Sequence, residues 1–235
     1  MARPFVSATF AMTVDGKITT KNFTPVDFTS REDKLHLFRQ RGAADAVLIG
    51  YGTLKRDNVR LGLPTQLREE RIKRGQTPSP LRVIVSNAGK IDPQLKIFQT
   101  ESSQAGPIVI FSTEKMPEKV RKAIRGKAGL HVTGSKTVDL AEMLVVLCRD
   151  YHVQTVACEG GPKLFRSLLE HGLVDQLNLT IAPFLFGGAT APTLTGFARD
   201  FLPSSIHCTL RDMRVVGEES FLTYKINYKK ARKAR

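Results

Sequence analysis

Short apolar runs separated by stretches of helical period dominate the chain. Phe5–Thr13, Ala46–Gly50, Arg82–Ser86, Ile108–Ser112, His131–Thr133 and Thr155–Cys158 are brief, rich in Val, Ile or Ala and nearly continuous. Strands buried on both faces of a parallel sheet have this pattern. Between them the spacing predicts helices over Ser30–Arg41, Glu118–Arg125, Leu140–Asp150 and Pro162–His171. In the third, Leu140, Met143, Leu144 and Leu147 recur at helical spacing. Ser30 with Asp33 three positions on is a weaker relative of the capping box. The C-terminal part differs: Leu177–Phe186, Ile206–Val216 and Ser220–Tyr228 read as strands with no long helix between them, Gly217-Glu218-Glu219 forming a hairpin turn. Leu61–Pro80, with three prolines and a charged patch, and Gly187–Pro203 are expected to be irregular. The whole predicts an α/β fold, a mostly parallel central sheet with an antiparallel C-terminal hairpin, as a single domain over residues 1–228. A basic tail, 229–235, is expected to be disordered.

Composition narrows the class without changing the fold. With 235 residues, 41% hydrophobic and 25% charged, the chain is long enough for one sizeable core. No apolar run reaches the roughly 18 residues of a membrane span. The start, MARPFVSATFAMTVDGKI, alternates and breaks at Asp15-Gly16, so it reads as a strand of the mature fold and not as a signal peptide. Cys148, Cys158 and Cys208 form no CxxC pair and no His/Cys cluster. That pattern argues against a metal site and favours a reducing, cytoplasmic setting. The 36 Lys and Arg against 22 Asp and Glu leave +14, of which KKARKAR at the end carries five positives. Such an excess suits nucleic acid, a membrane surface or anionic small molecules; its plainest meaning is a solvated tail. Trp is absent and the aromatics fall in strand-like runs, so no base-stacking platform is visible.

Three segments carry candidate chemistry. In Cys158-Glu159-Gly160-Gly161-Pro162-Lys163, a buried strand meets two glycines and then a proline at a first helical position. The missing Cβ atoms and the free N–H groups of a helix N-terminus suit a phosphate or pyrophosphate; a tight strand-to-helix turn is the alternative. In Gly50-Tyr51-Gly52-Thr53-Leu54-Lys55-Arg56-Asp57, a helical turn would put Thr53 and Asp57 on one face. Thr13-Val14-Asp15-Gly16 reads as a turn after the first strand. All three lie at strand ends of one α/β sheet, where such folds bind ligands.

At this point the sequence resembles the reductase domain of riboflavin biosynthesis. The resemblance is carried by TVDGKI, DAVLIGYGTLKRDN, LRVIVSNAGKIDP, VACEGGPKLFRSLLEHGLVDQLNLTIAPFLFGG and the C-terminal hairpin, nearly the whole chain. It implies a three-layer dihydrofolate-reductase-like fold, NADPH as cofactor, a homodimer, and reduction of a ribosylamino-pyrimidine 5′-phosphate to the ribitylamino product. No cytidine-deaminase signature is present. By the same resemblance, Thr53 and Asp57 contact the nicotinamide cofactor, and Gly160, Gly161, Pro162, Lys163 and Leu164 form its pyrophosphate loop. Ala11 and Thr13 lie beside the nicotinamide. Ser86 and Asn87, with Lys90, meet the adenosine ribose phosphate. Asp57 and Glu159 are the catalytic candidates, and Arg39, Arg60, Leu61 and Glu159 the substrate contacts. The family's run from this Asp to a terminal Arg is here Asp57-Asn58-Val59-Arg60-Leu61-Gly62-Leu63-Pro64, so Pro64 replaces the terminal arginine and Arg60 or Arg68 could substitute. Phe28 stands where a Trp is expected before the first helix. Two other readings stay open: a same-fold reductase for a pterin or folate, with Glu32 or Asp33 as the ring-binding acid, and a non-catalytic basic module for nucleic acid.

Overall fold

The computed structural model describes residues 2–20, 28–99, 105–196 and 201–228, so the basic tail lies outside the described residues. In chain order the elements are β1 (Phe5–Thr13), α1 (Arg31–Ala43), β2 (Ala46–Gly50), α2 (Tyr51–Asp57), α3 (Thr65–Lys73), β3 (Leu81–Ser86), α4 (Lys96–Gln99) and β4 (Ile108–Ser112). There follow α5 (Glu118–Ile124), β5 (Gly129–Val132), α6 (Leu140–Tyr151), β6 (Thr155–Cys158), α7 (Pro162–Glu170), β7 (Gln176–Ala182), β8 (His207–Val216) and β9 (Glu219–Asn227). One nine-stranded sheet runs β5-β4-β3-β2-β6-β1-β7-β9-β8. Pairs from β5 to β7 are parallel; β7–β9 and β9–β8 are antiparallel.

Strand alternation sorts the side chains into layers. One face of the sheet gives Val6, Ala8, Leu48, Val156, Cys158, Leu177 and Leu222 to a cluster closed by Met143, Leu144 and Leu147 of α6 and Phe165 and Leu168 of α7. On the other face, Val47, Ile49, Ile84 and Ile110 join Leu54, Leu61, Ile97 and Ile124 under β2, β3 and β4. Farther along that second face, beneath α1, the strands turn polar: Thr9, Thr13, Asn178 and Thr180 are all buried. Asn178 donates to Thr9 Oγ1 (3.3 Å) and to Gln40 Oε1 (3.1 Å). This helix therefore covers hydroxyls and amides, and its own buried residues are Asp33, Arg41 and Gly42.

Several boundaries differ from the sequence reading. The stretch Leu61–Pro80 contains α3, and its prolines flank that helix: Pro64 is the N-cap, while Pro78 and Pro80 lie beyond the end. What holds α3 is Arg71, 1% exposed, whose guanidinium donates to the carbonyls of Gly42, Ala44 and Thr77. The strand expected at His131–Thr133 runs over Gly129–Val132, and β7 stops at Ala182 because Pro183 has no N–H to continue the ladder. Glu219 belongs to β9 and not to the turn. Its buried carboxylate accepts from Ser30 N (2.7 Å) and Ser30 Oγ (2.5 Å). Ser30 caps α1 by accepting from the N–H groups of Glu32 and Asp33. The acid that reciprocates this cap is Glu219 from β9 and not Asp33.

Candidate active site

The C-terminal ends of β2, β6, β1 and β7 lie side by side, and the candidate residues gather there. After β6 the chain turns through Gly160 and Gly161, joined by a cis peptide bond. Gly160 has φ +105°, a conformation that favours glycine. A Cβ on Gly161 would collide with Thr53 Oγ1, so the hydroxyl of α2 lies directly on the glycine backbone. Gly50 N donates to Gly160 O (2.8 Å), tying the two strand ends together. Gly161 is the N-cap of α7 and supplies no side-chain cap. The first turn of α7, in which Pro162 has no N–H, therefore takes no side-chain acceptor from its N-cap. The Leu164 side chain is buried in the core, so only its backbone can serve a ligand.

Asp57 ends α2, one turn from Thr53 on the same face. Its side chain is 24% exposed, with Arg56 at 3.6 Å. Burial raises its pKa, and the Arg56 charge partly offsets the rise. Asn58 and Leu61, which follow, both have left-handed backbones. Leu61 is 2% exposed and sits in the core, not on an open wall. Buried arginines hold this segment by its carbonyls. Arg82, fully buried, donates to Arg60 O (3.3 Å), Ile97 O (3.1 Å) and Gly106 O (3.0 Å). With no acid among these partners, burial lowers its pKa to about 10.

Glu159 and α1 meet through a residue the sequence reading passed over. Arg41 Nε and Nη2 donate to the two carboxylate oxygens of Glu159 (2.7 and 2.6 Å), and Nη1 donates to Gly62 O (2.5 Å). Both side chains are nearly closed to solvent, 9% and 7% exposed. Arg39, the arginine expected here, is exposed on another face. Helical spacing distinguishes them: Asp33, Leu37 and Arg41 are four apart on one stripe, and Arg39 is off it. Arg41 thus bridges the glycine loop and the segment after Asp57. Arg60 is exposed on that segment.

Toward β3, Ser86 is 5% exposed and its hydroxyl accepts from Gly89 N (3.2 Å), which encloses it within the turn. Asn87 is exposed; its Oδ1 accepts from Val138 N (2.9 Å), and its carbonyl accepts from Thr113 Oγ1 (2.7 Å). Lys90 is exposed beside it. At the end of β1, the Thr13 hydroxyl is already engaged, donating to Asp15 Oδ1 (2.5 Å) and accepting from Lys17 N (3.0 Å). Asp15 also accepts from Phe186 N (3.2 Å) and Gly187 N (2.6 Å), anchoring the loop after β7. The Thr13 bond leads these contacts in lowering the Asp15 pKa to about 2. Phe28 packs edge-on against Phe186 in the same loop, 5.2 Å between ring centres. Cys158 takes no part: burial pushes its thiol up to about 12. A surface hollow of about 340 Å³, lined by Arg121, Arg125 and Leu130, lies at the far β5 edge. It contains none of the candidate residues.

A parallel α/β sheet whose strand ends carry a Cβ-free turn, an uncapped helix and a half-buried acid has the architecture of a nucleotide-dependent oxidoreductase. Residues 4–222 match the RibD C-terminal domain. The chain belongs to this family of riboflavin-biosynthesis reductases. It is 31% identical over 226 residues to the 2,5-diamino-6-ribosylamino-4(3H)-pyrimidinone 5′-phosphate reductase of Archaeoglobus fulgidus, covering 96% of this chain and 99% of that one. The protein of the same name from Methanothermobacter thermautotrophicus is 29% identical over 95% of this chain and 99% of its own. Among solved structures, a pyrimidine reductase-like protein from Corynebacterium diphtheriae superposes with a TM-score of 0.81 at 22% identity, covering 96% of this chain and 93% of that one. Among the described residues no helix is long and apolar enough to cross a membrane.

Proposed function

We propose that this chain reduces a ribosylamino-pyrimidine 5′-phosphate to its ribitylamino product, using NADPH. The observation that carries the reading is the Gly160–Gly161 turn lying bare against Thr53, beside the uncapped start of α7 and one helical turn from Asp57. A Cβ-free backbone at a helix start without a side-chain cap fits a pyrophosphate, so the residues present suit a dinucleotide. When bound, the cofactor supplies the hydride; the chain supplies placement. Thr53 and the backbone of Gly160 to Leu164 would hold it, with Ala11 on β1 beside its reacting end. Asn87 and Lys90 would face the ribose phosphate that distinguishes NADPH from NADH.

The reaction opens the ribosylamine ring to an imine at C1′, which accepts hydride at that carbon. Ring opening removes the exocyclic N–H proton and delivers one to the ring oxygen, and hydride addition at C1′ is matched by a proton to the imine nitrogen. Asp57, part-buried and with its pKa raised by burial, is suited to that exchange. Glu159 is held in a bidentate pair by Arg41, so it serves by position: the pair fixes the gap between the glycine loop and the Gly62 segment. Arg60, with Lys55 and Arg56, all exposed, would meet the substrate phosphate. The family resemblance also leads us to propose a homodimer and a cytoplasmic location. The test is the decay of NADPH absorbance on mixing with a ribosylamino-pyrimidine 5′-phosphate and isolation of the ribityl product. Failure to consume NADPH with any such pyrimidine would overturn the reading.

A further inference from the structure

Residues 58–64 join α2 to α3 without a helix or strand of their own, and they are pinned at several points. Asn58, with φ +46°, donates its N–H to Leu54 O (2.8 Å) and accepts from Lys96 N at its Oδ1 (2.9 Å). The Arg60 carbonyl accepts from Arg82 Nη1 (3.3 Å), and the Gly62 carbonyl accepts from Arg41 Nη1 (2.5 Å). Between them the Leu61 side chain lies in the core. Two buried cations thus hold two carbonyls of one short segment. Arg41 is also paired with Glu159, whereas Arg82 is 0% exposed and its guanidinium bonds carbonyls alone, those of Arg60, Ile97 and Gly106. A buried guanidinium without an acid is unfavourable where an apolar side chain of similar length would fill the same space. The consequence lies on the other side of the peptides. The peptide bonds of this segment are trans, and in a trans peptide the N–H points opposite to the C=O. With the Arg60 carbonyl turned to Arg82, the Leu61 N–H points away from it. With the Gly62 carbonyl turned to Arg41, the Leu63 N–H points away in its turn. Neither N–H has an acceptor among the described residues. Leu61 is 2% exposed, so water reaches its amide poorly, and a shielded backbone N–H without a partner is rare.

We propose that the Leu61 and Leu63 amides bind the 5′-phosphate of the substrate, and that the buried Arg82 is the positioning residue that aims the first of them. The inference rests on the proposed reaction, in which Arg60 meets that phosphate, and adds the backbone donors and the side chain behind them. Leu61 has φ +57°, and a left-handed residue is one half of the pairing that turns successive amides into an anion-binding concavity. A carbonyl bonded to a cation polarises its own peptide and strengthens the N–H at the other end as a donor. Arg60 is exposed on the same segment, and α3 starts directly after it with no side-chain acceptor from its N-cap. The neighbouring acids are engaged: Glu159 is paired with Arg41, and Asp57 has Arg56 at 3.6 Å. Arg60 brings a charge on a long side chain that must be ordered on binding. The amides are already fixed and lose no such freedom, which is what Arg82 contributes without touching a ligand.

The test compares a ribosylamino-pyrimidine 5′-phosphate with the same compound lacking its phosphate, each with NADPH. The wild type is expected to favour the phosphorylated form in kcat/KM by about 1,000-fold or more, the scale of several charge-assisted hydrogen bonds. Arg60→Gln should lower that ratio only about tenfold, since the amides remain. Arg82→Lys keeps a cation that cannot grip three carbonyls at once; it should raise KM for the phosphorylated form about tenfold, with kcat kept and KM for the other form within about twofold. Affinity for NADPH, measured on each variant, should be unchanged and reports that it is folded. Equal losses on both forms in Arg82→Lys would assign Arg82 to the fold alone and overturn the inference, leaving the reductase reading intact. On the wild type, ribose 5-phosphate titrated in the presence of NADP+ should shift the backbone amide NMR signals of Leu61 and Leu63. Signals that stay still, or a wild type indifferent to the phosphate, overturn the inference whatever the variants do. A wild type that binds NADPH and reduces neither form overturns the proposed reaction and this inference with it.

Discussion

At Asp57, burial and charge pull in opposite directions. Desolvation raises its pKa and Arg56 opposes the rise. A carboxyl with a raised pKa keeps its proton to higher pH than the unfolded chain does. Ionising it therefore costs stability as pH rises, and protonation restores that stability as pH falls. If the ionised form carries the proton exchange, the acid limb of kcat/KM should lie above the ordinary carboxylate range. Asp57→Asn should abolish that limb and slow single-turnover hydride transfer by roughly 10²–10⁴-fold, with NADPH affinity nearly unchanged. Arg41 is a different kind of residue. Removing it strands Glu159 in a site where its side chain is 7% exposed. Arg41→Met should cost about 3–5 kcal/mol by denaturant unfolding, whereas combining it with Glu159→Gln should recover part of that loss because no buried charge is then left alone.

At the scale of elements, the loop after β7 depends on Asp15. Its carboxylate collects the Thr13 hydroxyl and the amides of Phe186 and Gly187. A depressed carboxyl pKa gives stability that is present above the unfolded value, roughly 4, and is lost as pH falls toward about 2. Hydrogen exchange at the Gly187 amide should accelerate across that window, and Asp15→Asn should remove the pH dependence. The parallel strands were legible because each is a short apolar run, and α6 and α7 because their apolar faces repeat at helical spacing. Helix α3 was not, since its support is one buried guanidinium gripping backbone carbonyls, which leaves no periodic trace. The cap of α1 was half legible: Ser30 is visible locally, but its partner Glu219 comes from the opposite end of the chain. The turn glycines announced the part of the site proposed for the cofactor. Arg41 was missed because the buried stripe of α1 is polar, so hydrophobic periodicity cannot mark it.

For the molecule as a whole, the net charge of +14 gives it a field that draws anionic substrates. Part of that field is expected to act at one place, the turn holding Asn87 and Lys90. Lys90→Glu should weaken NADPH binding about tenfold or more, measured by fluorescence titration, while NADH binding changes little; equal losses for both would assign the lysine to general attraction. The Asn87 side chain is a poorer probe because its Oδ1 also holds Val138 N.

The strand order has a bearing on how the chain comes off the ribosome. β1 is made first, yet both strands that flank it come from the second half of the chain: Phe5 pairs with Thr155 on one side, and Ser7 with Gln176 on the other. Meanwhile β2, β3, β4 and β5 can pair among themselves in the order they emerge. The nascent chain therefore assembles one wing of its sheet while FVSATFAMT waits with both backbone edges open, an apolar strand of the sort that trigger-type chaperones shield and that aggregates when unshielded. Ala11 and Thr13 lie on that strand, so the wall proposed to flank the reacting groups is laid down first and is locked among the last.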